Sequence, residues 1–455
     1  MSRGERFFWF LTLLSLSVGF FGLLFRATRV EAVPSYARQT GLTCSACHTT
    51  PPELTPLGRT FKLNGYTMVG IKTITAKPGR GTSPLSLLSE LPLSAQFTIS
   101  NTTTMRPQPL TQNGSFELPQ SASLFLAGAM SAHIGSFIQV SYDGQSDHFS
   151  WDNTDIRYAN DTKLAGKDLV YGIDFNNNPT VEDLWSDTPA WGFPWVSADA
   201  APSPLAGPVI NGGLAQDVAG FGGYAMFDQH LYGAVTIYRS DHLGVSQPNP
   251  GTGFGFNIQG VAPYWRVAWQ QTHGNDYLEV GSFGIHLAST PGAVLGPRDY
   301  YTDVGADFQW EHTIPLKNRN DLLTVHGNYI HETSNLLGTL AAGGAAFASH
   351  DLNFEHLDAV YHIGNKYSFD VGPFAMSGTT DPILYASAPV SGSASGSPKA
   401  NGYILNASYW PVQNIQLGLQ YTGYLNFNGM GTNYDGAGRN ASANNSIYLI
   451  AWFVF

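Results

Sequence analysis

Residues 415–422 read Ile-Gln-Leu-Gly-Leu-Gln-Tyr-Thr, an alternation with Ile415, Leu417, Leu419 and Tyr421 on one face and Gln416, Gly418, Gln420 and Thr422 on the other. A period of two is the signature of an extended strand with two unlike faces. The pattern recurs. Leu93, Ala95, Phe97 and Ile99 oppose Ser94, Gln96, Thr98 and Ser100; Tyr171, Ile173 and Phe175 oppose Gly172 and Asp174; Val304, Ala306, Phe308 and Trp310 oppose Asp303, Gly305, Asp307, Gln309 and Glu311. From residue 91 onward about sixteen segments of about ten residues carry it, the length of a tilted strand that crosses a bilayer. Their centres lie near residues 97, 126, 138, 156, 171, 222, 234, 266, 281, 306, 326, 357, 371, 405, 419 and 450.

The connections between these segments alternate in length. Short ones include 133–136, 228–230, 272–275, 363–366 and 411–414; long ones include 177–215, 240–262, 334–349, 379–397 and 426–444. A barrel threaded through an outer membrane sorts its loops in this way, with tight turns on the periplasmic side and long loops outside. The final segment, Ser446 to Phe455, is amphipathic and ends on an aromatic residue, like a barrel-assembly signal. The expected fold is therefore all-β: a transmembrane antiparallel barrel of about 16 strands, with both termini periplasmic. Charged residues are only 12% and aromatics 13%, which suits a lipid-facing wall with aromatic girdles and gives no basic surface for nucleic acid.

The N-terminal part differs. Residues 1–32 have a basic start (Arg3, Arg6), a long apolar run and small residues before Ala32, the three-part order of an export signal, with an uncleaved anchor as the alternative. Residues 33–80 carry Arg38, Arg59, Lys62, Lys72, Lys77 and Arg80 against Glu53 alone, whereas residues 81–455 carry 12 basic and 30 acidic groups. Such asymmetry fits a small basic segment held in or against a large acidic one. Asp155, Asp174, Asp303, Asp307, Glu311 and Asp370 fall on the lumen face, with Arg157 and His326 among them. Arg38, Arg59 and Lys62 have two plausible partners: this lining, or the propionates of a porphyrin.

The porphyrin enters through Cys44-Ser-Ala-Cys47-His48, which contains the only two cysteines of the chain. C-x-x-C-H is the attachment pattern of a c-type haem, with Cys44 and Cys47 as thioether donors and His48 as proximal iron ligand. A zinc site requires about four ligands, and no second Cys/His cluster lies nearby. A disulfide across so short a loop stabilises little. Met68 is the candidate distal ligand, with Lys62, Asn64 and Tyr66 as alternatives. About 45 residues build little core of their own, so this segment is expected to plug the barrel, giving three regions: 1–32 signal, 33–80 monohaem cytochrome segment, 81–455 barrel.

These motifs resemble those of the fused cytochrome–porin outer-membrane iron oxidases. The likeness lies in Ala37–Gly41, Cys44–His48 and Pro52–Tyr66, with a weaker match over residues 176–194. The resemblance implies an iron:cytochrome c oxidoreductase-type activity: Fe(II) outside the cell gives an electron to one haem c, which passes it to a periplasmic cytochrome c or copper protein. Glu182, Asp183 and Asp187 are loop carboxylates suited to weak binding of the donor iron. Two other functions fit the same sequence: a diffusion porin with a haem-bearing plug or redox gate, and an outer-membrane cytochrome for another extracellular donor.

Overall fold

The computed structural model describes residues 34–50, 53–68, 70–71, 73–76, 85–185, 198, 200–241 and 256–455. The expected export signal at 1–32, together with Lys72, Lys77, Arg80 and Asp187, lies outside them. Among the described residues, three short helices come first: α1 (Pro34–Thr40), α2 (Cys44–Cys47) and α3 (Pro56–Leu63). A two-stranded ribbon follows, β1 (Thr73–Ala76) against β2 (Leu85–Leu88). The remaining strands are β3 (Leu93–Thr104), β4 (Ser115–Ala129), β5 (Ile134–Asp143), β6 (His148–Leu164), β7 (Lys167–Asn176), β8 (Val218–Phe227), β9 (Leu231–Ser240) and β10 (Ala262–His273). After them come β11 (Asp276–Ser289), β12 (Asp299–Leu316), β13 (Arg319–Leu336), β14 (Ser349–Ile363), β15 (Tyr367–Gly378), β16 (Ala400–Val412), β17 (Ile415–Asn426) and β18 (Ser446–Val454).

Strands β3 to β18 form one closed antiparallel barrel in which each pairs with its sequence neighbour and β18 pairs with β3. All sixteen positions expected from the alternation are strands, and the barrel begins at Leu93. Residues 85–88 belong instead to the separate ribbon. Closure leaves no unpaired edge. At the seam the backbone of Phe455 exchanges hydrogen bonds with Ala95 at 2.7 and 2.9 Å, so the terminal aromatic residue completes the ring.

The two faces of the wall are inverted relative to a water-soluble protein. Ile173, Phe175, Val304, Leu405 and Leu419 are exposed outward, while Asp155, Asp174, Asp303, Glu311 and Gln416 are buried inward. A wall with apolar side chains outside and carboxylates inside is stable when its solvent is lipid.

One rim holds the turns 130–133, 165–166, 228–230, 274–275, 317–318, 364–366 and 413–414; the other holds 105–114, 144–147 and the long loops 177–217, 241–261, 290–298, 337–348, 379–399 and 427–445. Sequence reading of the loops is thus reproduced, with 144–147 a short exception on the long-loop rim. The chain enters the barrel from the short-turn rim, because β3 starts there.

The loops are pinned by buried carboxylates. Asp381 accepts backbone N–H groups of Ala346, Ile383 and Leu384 at 2.8 to 3.0 Å and faces His350 Nε2 at 3.0 Å. Burial by itself raises its pKa, but the hydrogen bonds from Leu384, Ala346 and Ile383 outweigh it and hold Asp381 at about 2. A depressed carboxylate stabilises the fold above its unfolded value and loses that contribution as pH falls through the folded one. Loop 379–399 is therefore expected to stay protease-resistant from neutral pH down to about pH 3 and to open near pH 2. In Asp381→Asn it is expected to be cut across the whole range, which limited proteolysis with an acid protease and a neutral protease checks.

Candidate haem site and barrel plug

The N-terminal segment folds inside the short-turn mouth. Helix α3 starts at Thr55, whose Oγ1 accepts the N–H of Gly58 at 3.2 Å and donates to the carbonyl of Ala46 at 2.6 Å. Pro56 occupies the first turn, where its missing N–H costs nothing. Gly65, with φ of 66°, follows the helix in the left-handed region that suits glycine. The amphipathic result packs directly on α2. A Cβ on Gly58 would lie 2.2 Å from the carbonyl oxygen of Cys47, so only glycine allows this approach. Gly58→Ala is expected to destabilise the segment by about 1–3 kcal/mol, read as new protease cleavage within residues 34–68 at equal protein yield.

Cys44 and Cys47 lie three residues apart on one helical turn, a spacing that puts both thiols on the same side, and they form no disulfide. Both line a cavity of about 270 Å³ together with His48 and Met68. The cavity lies between the plug and the wall strands β3, β4, β5, β17 and β18. Its lining is largely apolar: Leu54, Leu57 and Phe61 on the plug side, Phe125, Phe137 and Trp452 on the wall. Tyr36, Phe61 and Tyr66 form an aromatic triangle along it, with ring centroids 5.0, 5.7 and 6.1 Å apart.

His48 Nδ1 lies 3.2 Å from the backbone carbonyl of Glu53. A proton on Nδ1 directed at that oxygen puts the lone pair on Nε2, the tautomer a metal-ligating histidine uses. Two thiols on one turn, a histidine whose Nδ1 faces a backbone carbonyl and an apolar slot between plug and wall fit a covalently attached haem. The slot is anchored to the barrel rim: the N–H of Cys44 donates to Gln413 Oε1 at 2.9 Å, and Asn365 Nδ2 donates to Ser45 Oγ at 3.1 Å.

The structure brings all four site residues of the sequence reading, Cys44, Cys47, His48 and Met68, to this one cavity. Of the alternatives to Met68, Lys62 and Tyr66 also line the cavity and Asn64 does not, and the polar atoms of all three are hydrogen-bonded. Lys62 Nζ donates to the carbonyl of Asp183 at 2.7 Å, Asn64 Nδ2 to that of Thr60 at 2.8 Å, and Tyr66 OH to Asp155 Oδ2 at 2.6 Å. Burial, then the neighbouring Arg157, brings the Lys62 ammonium down to about 8 against the pull of Asp155, Asp183 and Glu182.

The plug is tied to the wall on several sides. Arg59 pairs with Glu311 at 2.7 Å and lies over the ring of Tyr277. Glu53 Oε1 lies 2.9 Å from His326 Nε2, and Tyr224 OH donates to the carbonyl of Leu63 at 2.9 Å. Arg59 and Lys62 thus meet the barrel interior, while Arg38 is bonded to the backbone of Leu91 and Leu93. On the wall, Gly135 makes room: a Cβ there would lie 2.3 Å from the carbonyl of Gly65.

The loop carboxylates are placed differently from the sequence expectation. The chain after β7 turns into the lumen through the short helix α4 (Pro179–Glu182), and both Glu182 and Asp183 are buried. Glu182 accepts from Thr236 and Tyr238 at 2.7 and 2.8 Å. Burial and the nearby Asp174 push its pKa up, and its burial keeps it from external iron. Asp183 Oδ1 lies 3.2 Å from Arg266 Nε. These two residues are internal ties because Asn178 and Pro179 start a helix that points the following side chains inward. Farther along, Val209 and Ile210 donate backbone N–H to Glu332 and Asp303 at 2.7 and 2.8 Å. Sequence reasoning missed this inward fold. The apolar residues Val181, Leu184 and Trp185 flanking the two carboxylates were its available signal.

No family model and no curated protein matches the chain. Among solved structures, it is similar to the outer membrane channel DcaP of Acinetobacter baumannii, with 12% identity over 80% of this chain and 96% of that one and a TM-score of 0.45. It is also similar to OmpF of Salmonella typhi, solved in complex with daunomycin, with 11% identity over 80% and 98% and a TM-score of 0.43. A loop-deletion mutant of OmpT of Vibrio cholerae gives 11% identity over 80% and 98%, with a TM-score of 0.42. The fold of the chain is a porin-like closed barrel of sixteen strands.

Proposed function

We propose that this chain is an outer-membrane electron-transfer cytochrome that takes electrons from extracellular Fe(II) and passes them to a periplasmic cytochrome c or copper protein. The observation that carries the reading is the C-x-x-C-H turn, held on an apolar cavity at the short-turn mouth of a closed, lipid-compatible barrel. Cys44 and Cys47 would attach the haem, His48 would ligate its iron, and Met68 is the proposed second ligand. A haem there supplies a one-electron centre: Fe(II) becomes Fe(III) outside, and the periplasmic carrier is reduced inside. The chain supplies the rest. Its wall insulates, and its plug fixes the haem slot at the inner rim. The donor iron site is not assigned to Glu182 or Asp183, whose side chains serve the lumen.

A second reading, a diffusion porin with a haem-bearing plug or redox gate, draws on the width of a sixteen-stranded barrel and its polar interior. Against free diffusion stand the ties of Arg59, Lys62, Tyr66 and Glu53 to the wall and the buried residues Val181–Trp185, Val209 and Ile210.

Both readings meet one experiment. Fe(II) added anaerobically to purified, oxidised protein is expected to produce the reduced α-band stoichiometrically with haem, while a planar bilayer shows no steady ionic current. An unreduced haem with open-channel conductance would reverse the order of the two readings. Reduction by another extracellular donor at a higher rate would keep the cytochrome and change its substrate.

A further inference from the structure

Glu53 is the only acidic residue among residues 33–80, and the haem slot depends on it twice. Its backbone carbonyl faces His48 Nδ1 at 3.2 Å. Its carboxylate is buried and lies 2.9 Å from His326 Nε2 on β13, while His326 Nδ1 lies 3.4 Å from Asp358 Oδ2 on β14. His326 and Asp358 are direct cross-strand partners in the ladder, so their side chains stand together on the lumen face of the wall. Within the plug, Thr49 Oγ1 donates to the other carboxylate oxygen of Glu53, the N–H of Thr49 to its carbonyl and its own N–H to Thr50. The result is an unbroken line of contacts: wall strand β14, wall strand β13, Glu53, His48.

On the strength of the haem reading above, we propose that His326 and Asp358 are positioning residues for His48 and that, through Glu53, they set the reduction potential of the haem it ligates. The physical reason is the acceptor on Nδ1. How firmly the Glu53 carbonyl takes that proton decides how electron-rich the imidazole is, and an electron-rich imidazole favours the ferric state. Glu53 lies just before the N-cap of α3, and its carbonyl stays on His48 because its carboxylate is moored to the wall. Both partners are buried, so the mooring is little screened by solvent. Among the described residues no three His, Cys, Asp or Glu side chains converge to hold a metal ion, which makes this cluster a support and not a second metal centre. The barrel is then more than a container: its wall tunes the redox centre at its mouth.

The test is a spectroelectrochemical titration of full-length, haem-bearing protein carrying His326→Leu, His326→Gln or Glu53→Gln. His326→Gln keeps a donor toward Glu53 and is expected to titrate like the wild type. Glu53→Gln removes a negative charge beside the iron and is expected to favour the ferrous state at least tenfold, an upward shift of about 59 mV for a one-electron couple. His326→Leu is expected to move the ferrous-to-ferric ratio by at least the same factor and to alter the Soret band, as an unmoored proximal ligand would. A merely structural role would lower the yield of loaded protein and leave the potential of the loaded fraction in place. Covalent haem in every variant, with ratios for His326→Leu and Glu53→Gln within twofold of wild type, overturns the coupling alone. Absence of covalent haem from the wild-type protein overturns the haem reading and the coupling with it.

Discussion

Replacing both Cys44 and Cys47 by serine is expected to abolish covalent haem completely and to leave the barrel folded. The first half follows from chemistry: serine cannot form the thioether, and the chain has no other cysteine to substitute. The second half follows from the fold. Every barrel strand is paired on both sides by backbone ladders that α2 does not enter, and the Cys44 N–H that holds Gln413 is a backbone group that serine keeps. A haem-stained denaturing gel reads the first outcome, and heat-modifiable migration of the unboiled protein reads the second. Haem stain surviving denaturation in the double variant would sink the attachment site.

Arg266→Met should produce the largest loss of stability among single substitutions in the lumen. The Arg266 guanidinium is buried on β10 and holds three carboxylates: Asp307 at 2.5 Å, Glu279 at 3.2 Å and Asp183 at 3.2 Å. It also lies over the ring of Trp185, 5.0 Å from its centroid. Methionine fills similar volume but leaves those carboxylates facing one another without a counter-charge. Breaking a buried ion pair from one side costs about 3–5 kcal/mol. The loss reaches the plug, because Asp183 also accepts from Lys62 through its carbonyl. Denaturant unfolding in detergent micelles is expected to show that loss. Limited proteolysis should show new cleavage near residues 177–185, with Arg266→Lys intermediate. A change below about 0.5 kcal/mol, the level of an ordinary surface substitution, would mean the cluster is not bearing the loop.

The barrel was legible along the sequence because a strand in a membrane wall has one apolar and one polar neighbour at every step. Leu417 and Leu419 against Gln416 and Gln420 carry that information within a few residues, and the loop lengths carry the direction of the chain. The lumen acids were legible for the same reason: once the register of β12 is known, Asp303, Asp307 and Glu311 must share a face. Cys44, Cys47 and His48 were expected together because their spacing is local, and they line one cavity. Glu182 and Asp183 were misplaced because the groups that hold them inward, Thr236, Tyr238 and Arg266, lie more than fifty positions along the chain.

What the amino-acid order alone determined is everything with a short period: the alternation of the strands, the capped start of α3 at Thr55 and Pro56, and the two thiols on one turn. What only the tertiary structure decided is which distant groups complete the slot. Cys44 is held by Gln413, 369 positions away, and Lys62 by Asp183, 121 positions away. Glu53 rests on His326 of the wall. A buried charge or an unsatisfied donor in a plug states that a partner must exist, but closing the barrel is what brings that partner within reach.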